Sequence, residues 1–200
     1  CIMAQTFQNW ELILVDDGSD EVNYIKIKEF VLTDNRIHFF KRNRKPKNGD
    51  TCRNIGMDLS RGEYTMILDA DDLLSETCFE KRVAFMDKNP KCDYASFPSG
   101  SFYDGNSRIS KREFNYKTVD ILGQILEANY PFTVWANIYR TSSIKNIRWD
   151  EKVYVYQDFD FMVQCELAGL NHLWCDLDYP DYYYRLFKNG NSVCSKVISK

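Results

Sequence analysis

The chain has 200 residues, 44% of them hydrophobic, which suits one α/β domain, or such a domain with a small appendage. A net charge of −3 gives no global attraction to nucleic acid. No apolar run approaches the roughly 20 residues of a membrane span, and no secretory signal is expected from the pattern.

The cysteines, Cys1, Cys52, Cys78, Cys92, Cys165, Cys175 and Cys194, are odd in number and form no C-x-x-C pair. Free thiols in a reducing cytoplasm are expected, rather than a disulfide framework or a zinc site. His38 and His172 lie far apart in apolar strands and read as packed residues rather than ligands.

Residues 1–10 read as the end of a helix. The aliphatic run 12–15 then stops at Asp16-Asp17-Gly18-Ser19. A strand apolar on both faces belongs inside a parallel sheet covered by helices. Its carboxyl end delivers acids, and Gly18 permits the sharp turn. Tyr24, Ile27 and Val31 recur at helical spacing over 21–32. A strand at 37–40 runs into a basic loop, 41–49. Two readings of the loop stand: a solvated connection, or a stretch that collects a diphosphate or rests on anionic lipid. Residues 51–60 read as a short helix carrying Arg53, Asn54 and Gly56.

Residues 64–72 are the centre of the pattern. A short apolar run ends in Asp69, Asp71 and Asp72. A run bounded in this way reads as a buried strand. In open α/β sheets ligands bind beyond the carboxyl ends of the strands. Carboxylates this close repel, so they call for a cation. Oxygen ligands suit Mg²⁺ or Mn²⁺, with substrate phosphates completing the shell. The other reading is an acidic turn capping the next helix.

Beyond it, Ser75 is a candidate cap for a helix with Phe79, Val83 and Met86 on one stripe, ended by Asn89-Pro90. Residues 94–97 read as a strand. Strand and helix thus alternate through the first half, as in a doubly wound sheet. The second half is less regular. Residues 99–117 suggest a hairpin or long loop, and 119–128 a helix. Asp158 opens a helix over 159–168 closed by Gly169, and 172–175 read as a strand.

The ordered set resembles family 2 glycosyltransferases. The matching stretches are Ala4 to Glu11, Leu14-Val15-Asp16-Asp17-Gly18-Ser19, Arg53-Asn54-Ile55-Gly56, Gly62 to Asp72, Tyr156-Gln157-Asp158-Phe159-Asp160 and Tyr183-Tyr184-Arg185. The resemblance implies the α/β GT-A fold, with a Rossmann-like, mostly parallel sheet flanked by helices. Residues 1–98 would form its nucleotide-sugar-binding half, and 99–200 the less regular acceptor-side half of the same domain. It implies inverting transfer of a sugar from a nucleotide-diphospho-sugar, a UDP-sugar by family frequency, to a hydroxyl on a glycan or lipid-linked acceptor. Expected roles follow position by position. Asp17 reads the base and Arg53 lies near the nucleotide. Asp71 is a metal ligand, and Asp69 contacts ribose or metal, with Mn²⁺ or Mg²⁺ as cofactor. Asp158 is the general base, while Asp72 caps the next helix. Trp135 and Arg185 lie on the acceptor side. Bland readings stand beside these: Asp158 as a helix cap, Arg53 as a surface ion-pair partner, Trp135 as core.

The resemblance further implies no nucleic-acid partner and a cytoplasmic location, at the inner face of a membrane with peripheral attachment. Two departures stand out. Gln157 replaces the Glu that commonly precedes the base. The family's first strand has no counterpart ahead of Cys1, so the sequence reads as a fragment whose strand at 12–15 lacks a neighbour. The competing function is a non-catalytic nucleotide-sugar or glycan-binding domain. The transferase reading requires Asp17, Asp71 and Asp158 to converge on one cavity.

Overall fold

The computed structural model describes residues 1–103, 109–111, 117–127, 129 and 131–186. The chain opens with a short 3₁₀ turn, Ile2–Ala4, where the end of a helix was expected. There follow β1 (Leu12–Asp16), α1 (Glu21–Val31), β2 (Ile37–Lys41), α2 (Gly49–Leu59), β3 (Tyr64–Thr65), β4 (Leu73–Leu74), α3 (Cys78–Lys88) and β5 (Tyr94–Ser96). The second half adds β6 (Ser99–Tyr103), β7 (Ile109–Lys111), α4 (Ile121–Leu126), β8 (Asn137–Arg140), α5 (Gln157–Leu167), β9 (His172–Trp174) and β10 (Tyr182–Leu186).

The α/β class is as expected. The strands form three sheets: β1-β2, β4-β10-β6-β7 and β3-β8-β5-β9. The β1-β2, β6-β10 and β5-β9 ladders are parallel, and the others are antiparallel. Both larger sheets mix strands from residues 1–98 and 99–200. Among the described residues β1 pairs with β2 alone.

The local signals explain most of the helices. On α1 the half-buried positions are Tyr24, Ile27 and Val31, the expected stripe. Asp20 caps it, accepting from the Asn23 amide at 2.9 Å. Asn48 caps α2 in the same way, from Thr51. Helix α3 departs from expectation. Ser75 does not cap it; the preceding Thr77 makes no side-chain cap bond either. Gln5, 1% exposed, reaches across instead. Its Oε1 accepts from the Phe79 amide at 3.0 Å, and its Nε2 donates to the Ser75 carbonyl at 2.7 Å. A first-turn amide that the local sequence leaves orphaned is thus satisfied from 74 residues away.

The expected strand at 64–68 is hydrogen-bonded only at Tyr64–Thr65. Met66, Ile67 and Leu68 leave the ladder and pack into the main core. Burial of these apolar side chains, rather than pairing, carries the chain to Asp69.

That core is aromatic. Trp149 stacks on Trp135 and on Phe161, with centroids 5.9 and 4.6 Å apart. Asn54 fixes Trp149 from α2. Its Nδ2 donates to the Trp149 carbonyl at 2.9 Å and its Oδ1 accepts from the Trp149 amide at 3.0 Å. His172 is packed as expected, on the edge strand β9: it stacks on Phe132 and bonds Ser96, and burial pushes its pKa down to about 4. Among the described residues every cysteine is a free thiol, and no helix is long and apolar enough to cross a membrane.

Candidate active site

The first acidic turn is built by Asp16. Its side chain is buried and accepts from the Ser19 amide at 3.0 Å, while Gly18 takes φ +99°. Asp17 is thereby turned outward. It pairs with Arg42 Nε at 2.5 Å, and Arg42's own amide bonds the Asp16 carbonyl. The Cys52 thiol sits beside Asp17, and burial first, then Asp17, raises it to about 11.

Arg53 is the junction of the site. From α2 its Nη1 donates to Asp50 at 2.7 Å and to the Gln157 amide oxygen at 3.2 Å. Its Nη2 donates to Asp69 at 3.0 Å. The guanidinium lies over the rings of Trp135 and Trp149, 4.6 and 4.7 Å from their centroids. One side chain therefore joins helix α2, the second acidic turn and the start of α5. This is no surface ion pair, since Arg53 is largely enclosed.

Asp158 occupies the second position of α5. It is not the cap. That position belongs to Tyr156, which makes no side-chain cap bond and takes φ +61°, ψ +27°. A left-handed aromatic residue is uncommon and costs of order 1–3 kcal/mol. It sits immediately before the Gln157-Asp158 pair. Among the described residues no donor bonds the Asp158 carboxylate. Burial pushes its pKa up to about 7; Arg53 opposes this, while Asp69 and Asp50 add to it. Asp50 itself is fully buried with one oxygen unpartnered, and burial raises its pKa too.

This crowding explains Gln157. Asp50, Asp69 and Asp158 already share the single guanidinium of Arg53. A neutral amide accepts from Arg53 without adding a further negative charge.

The second acidic turn is closed by the Asp72 amide bonding the Asp69 carbonyl. Asp72 does not cap α3. It is 6% exposed and faces the other way, onto β10. It accepts from the Tyr182 hydroxyl and, at 2.8 Å, from the Arg185 amide. Burial raises its pKa to about 6. Arg185 Nε donates in turn to the Asp71 carbonyl at 2.6 Å. The tail strand therefore clamps the backbone of the turn and leaves Asp71 exposed at its tip. Tyr182→Phe is expected to cost about 1–3 kcal/mol, since a buried carboxylate loses a donor; urea denaturation checks it.

Of the expected residues, the structure thus gathers Arg53, Asp69 and Asp158. Asp71 follows in the same turn. Asp17 lies on the other side of the first turn of α2, next to Cys52, and no hydrogen bond or ion pair links it to Asp69 or Asp158 among the described residues. Trp135 is 5% exposed and forms the floor under Arg53 rather than an open platform. Arg185 braces the acidic turn. Gln157 was expected only as the neutral residue beside the base, not as a partner of Arg53; Asp50 and Tyr182 were not singled out in the sequence, where an acid in a first helical turn is ordinary.

The donor set fits a hard divalent ion. Among the described residues no group of three or more His, Cys, Asp or Glu could hold a metal. Asp69 and Asp71 offer two carboxylates, which is what Mg²⁺-type sites use when substrate phosphates supply the remainder.

The solved structure of S. aureus TarS in complex with UDP-GlcNAc superposes with a TM-score of 0.76, at 21% identity, over 97% of this chain and 55% of that one. Pyrobaculum calidifontis mannosyltransferase PcManGT, in complex with GDP-Man and Mn²⁺, gives 0.62 at 13% identity, over 92% and 50%. An uncharacterized glycosyltransferase of Methanocaldococcus jannaschii is 33% identical over 169 residues, 82% of this chain and 57% of that protein. The minor teichoic acid biosynthesis protein GgaB of Bacillus subtilis is 29% identical over 96% of this chain and 21% of its own length. The chain therefore spans little more than half of the first of these relatives. The family pattern described as glycosyl transferase family 2 matches residues 1–157, and with that match the chain belongs to glycosyl transferase family 2.

Proposed function

We propose that this domain transfers a sugar, with inversion, from a nucleotide-diphospho-sugar to a hydroxyl acceptor, with Asp158 as general base. The observation that carries the reading is Arg53, which ties Asp69 to the segment bearing Asp158 while leaving the Asp158 carboxylate without a hydrogen-bond donor. A carboxylate held up near neutrality and free to accept is what a base needs.

The acceptor oxygen attacks the anomeric carbon on the face opposite the leaving group. Its proton passes to an oxygen of Asp158, the new C–O bond forms, and the bond to the diphosphate breaks. The same stereochemical logic places the base of inverting glycosidases. Asp17 would hold the base ring, accepting from a ring N–H and so rejecting bases that lack one. Arg53 would stand near the diphosphate. Asp69 and Asp71 would hold Mn²⁺ or Mg²⁺, which when bound stabilises the charge of the departing diphosphate as a Lewis acid. TarS binds UDP-GlcNAc, which supports a UDP-sugar donor. A glycan or lipid-linked acceptor at the cytoplasmic face of a membrane completes the proposal.

The direct test is donor turnover. Release of nucleoside diphosphate from a UDP-sugar should require Mn²⁺ or Mg²⁺ and stop on chelation. Metal-dependent binding of the donor without any turnover would favour the non-catalytic alternative. The base must be ionised, so with a pKa near 7 the rate is expected to rise with pH through about 7 and then level. A rate independent of pH between 5.5 and 8.5 would remove Asp158 from the role.

A further inference from the structure

A cleft of about 770 Å³ adjoins this site. One wall is the basic loop after β2, with Arg42, Lys45 and Lys47. The other is the segment ahead of α5, with Glu151, Lys152 and Tyr154. Arg53, Asp69, Asp71 and Asp158 do not line it.

Two of the lining charges are already balanced. Arg42 pairs with Asp17, and Glu151 pairs with Arg44 at 2.7 Å. Three ammonium groups are not. Lys47 Nζ reaches the Gly18 carbonyl at 3.5 Å, and Lys45 and Lys152 have no carboxylate in ion-pair range among the described residues. The walls are tied to each other. Asn48 Nδ2 donates to the Glu151 carbonyl at 2.8 Å, and Asn54 Nδ2 donates to Glu151 Oε1 at 2.9 Å. The lysines therefore cannot relax apart by separating the walls. The whole chain is acidic, at −3, so the excess of positive charge here is local.

The position narrows the ligand. On the transferase reading the donor diphosphate would belong at Asp69 and Asp71, which lie outside the cleft. One wall runs from Tyr154 directly into Asp158, four residues on. The other begins at Arg42, which holds Asp17. A molecule in the cleft would thus lie between Arg42, which holds Asp17, and the segment leading to Asp158, a position that on the transferase reading suits an acceptor. Tyr154, 64% exposed, offers a ring at the rim.

We propose that this cleft is an acceptor subsite for a phosphate or phosphodiester group, so that the acceptor is a phosphate-bearing chain or head group rather than a neutral sugar. The inference rests on the transferase reading for the word acceptor; the anion site itself does not.

The test uses a soluble glycerol phosphodiester trimer, its uncharged glycerol analogue, and UDP with Mn²⁺, each titrated calorimetrically into the whole protein. The variants are the double substitution Lys45→Glu, Lys152→Glu, and the neutral pair Lys45→Gln, Lys152→Gln. Neither lysine belongs to the donor site. The trimer should bind and the uncharged analogue should not. Loss of two charge-assisted contacts, at about tenfold each, should weaken the trimer about a hundredfold, while UDP affinity stays within about twofold. A trimer that fails to bind wild type, or binds the variants equally well, overturns the proposal. Sedimentation with phosphatidylglycerol vesicles separates the sources: lysine-dependent binding of vesicles and trimer alike supports the phosphate chemistry in either carrier, whereas vesicle binding alone, unchanged in the variants, overturns it. If UDP fails to bind while the trimer binds through the lysines, the anion site stands and the transfer reading falls.

Discussion

Asp158→Asn is expected to lower turnover by about 10²–10⁴-fold while leaving the dissociation constant for UDP-sugar nearly unchanged. The amide keeps the shape of the side chain at the second position of α5 and cannot take a proton. Arg53 loses one charge from its surroundings but keeps its bonds to Asp50, Gln157 and Asp69. Pre-steady-state release of nucleoside diphosphate, set beside equilibrium donor binding, separates the two quantities. An equal loss of both would show that Asp158 holds the donor instead. Stability supplies a second readout. The folded-state pKa of Asp158 lies above its unfolded value, so its effect favours the fold at low pH and fades as pH rises through about 7. The Asn variant is therefore expected to exceed wild type in stability by a smaller margin at pH 5 than at pH 8, the two converging only below the unfolded value of 3.8. A dead variant that is also less stable at pH 8 would point to a structural role.

The largest effect on folding is expected at Arg82. This guanidinium is buried at 0% exposure on α3 and pairs with Asp181, 1% exposed, at 2.6 and 2.9 Å. It also donates to the carbonyls of Asn137 and Trp135, at 3.1 and 3.3 Å. Arg82→Ala leaves the Asp181 charge buried without a partner, which typically costs about 3–5 kcal/mol. Against a total stability of about 5–15 kcal/mol for a domain, that is a large share. Urea denaturation followed by tryptophan fluorescence measures it. The double substitution Arg82→Met, Asp181→Leu should recover part of the loss, because a packed apolar pair carries no uncompensated charge. Recovery stays incomplete because two buried carbonyls still lack their donor. The Trp135 carbonyl is one of them, and the Trp135 ring underlies Arg53, so the single variant should also weaken donor binding. A loss below about 1 kcal/mol would mean that water reaches the Asp181 carboxylate.

Much of the architecture can be read directly along the chain. Apolar runs that stop at acids mark the ends of β1 and of the core-buried stretch before Asp69. The stripe of Tyr24, Ile27 and Val31 orients α1, and Asn48 begins α2. The separate motifs bearing Asp17, Arg53, Asp69 and Asp158 also stand out as local patterns. Local order is set by neighbours in the sequence, through side-chain period, caps and turns, so the string of residues suffices for it.

Three features follow from no local pattern. Gln5 caps a helix beginning more than 70 residues later, Asp72 turns away from the helix it precedes to meet Tyr182, and Arg82 occupies an apolar stripe because Asp181 meets it there. Arg53 is the functional case: its bonds to Gln157, 104 positions away, and to Asp69 exist only once the sheets have packed α2 against the start of α5. The sequence determined which residues carry charge and where each strand and helix ends. The tertiary structure decided which charges meet, because bringing distant groups together costs chain entropy that only the packing of the whole core around Trp135 and Trp149 repays.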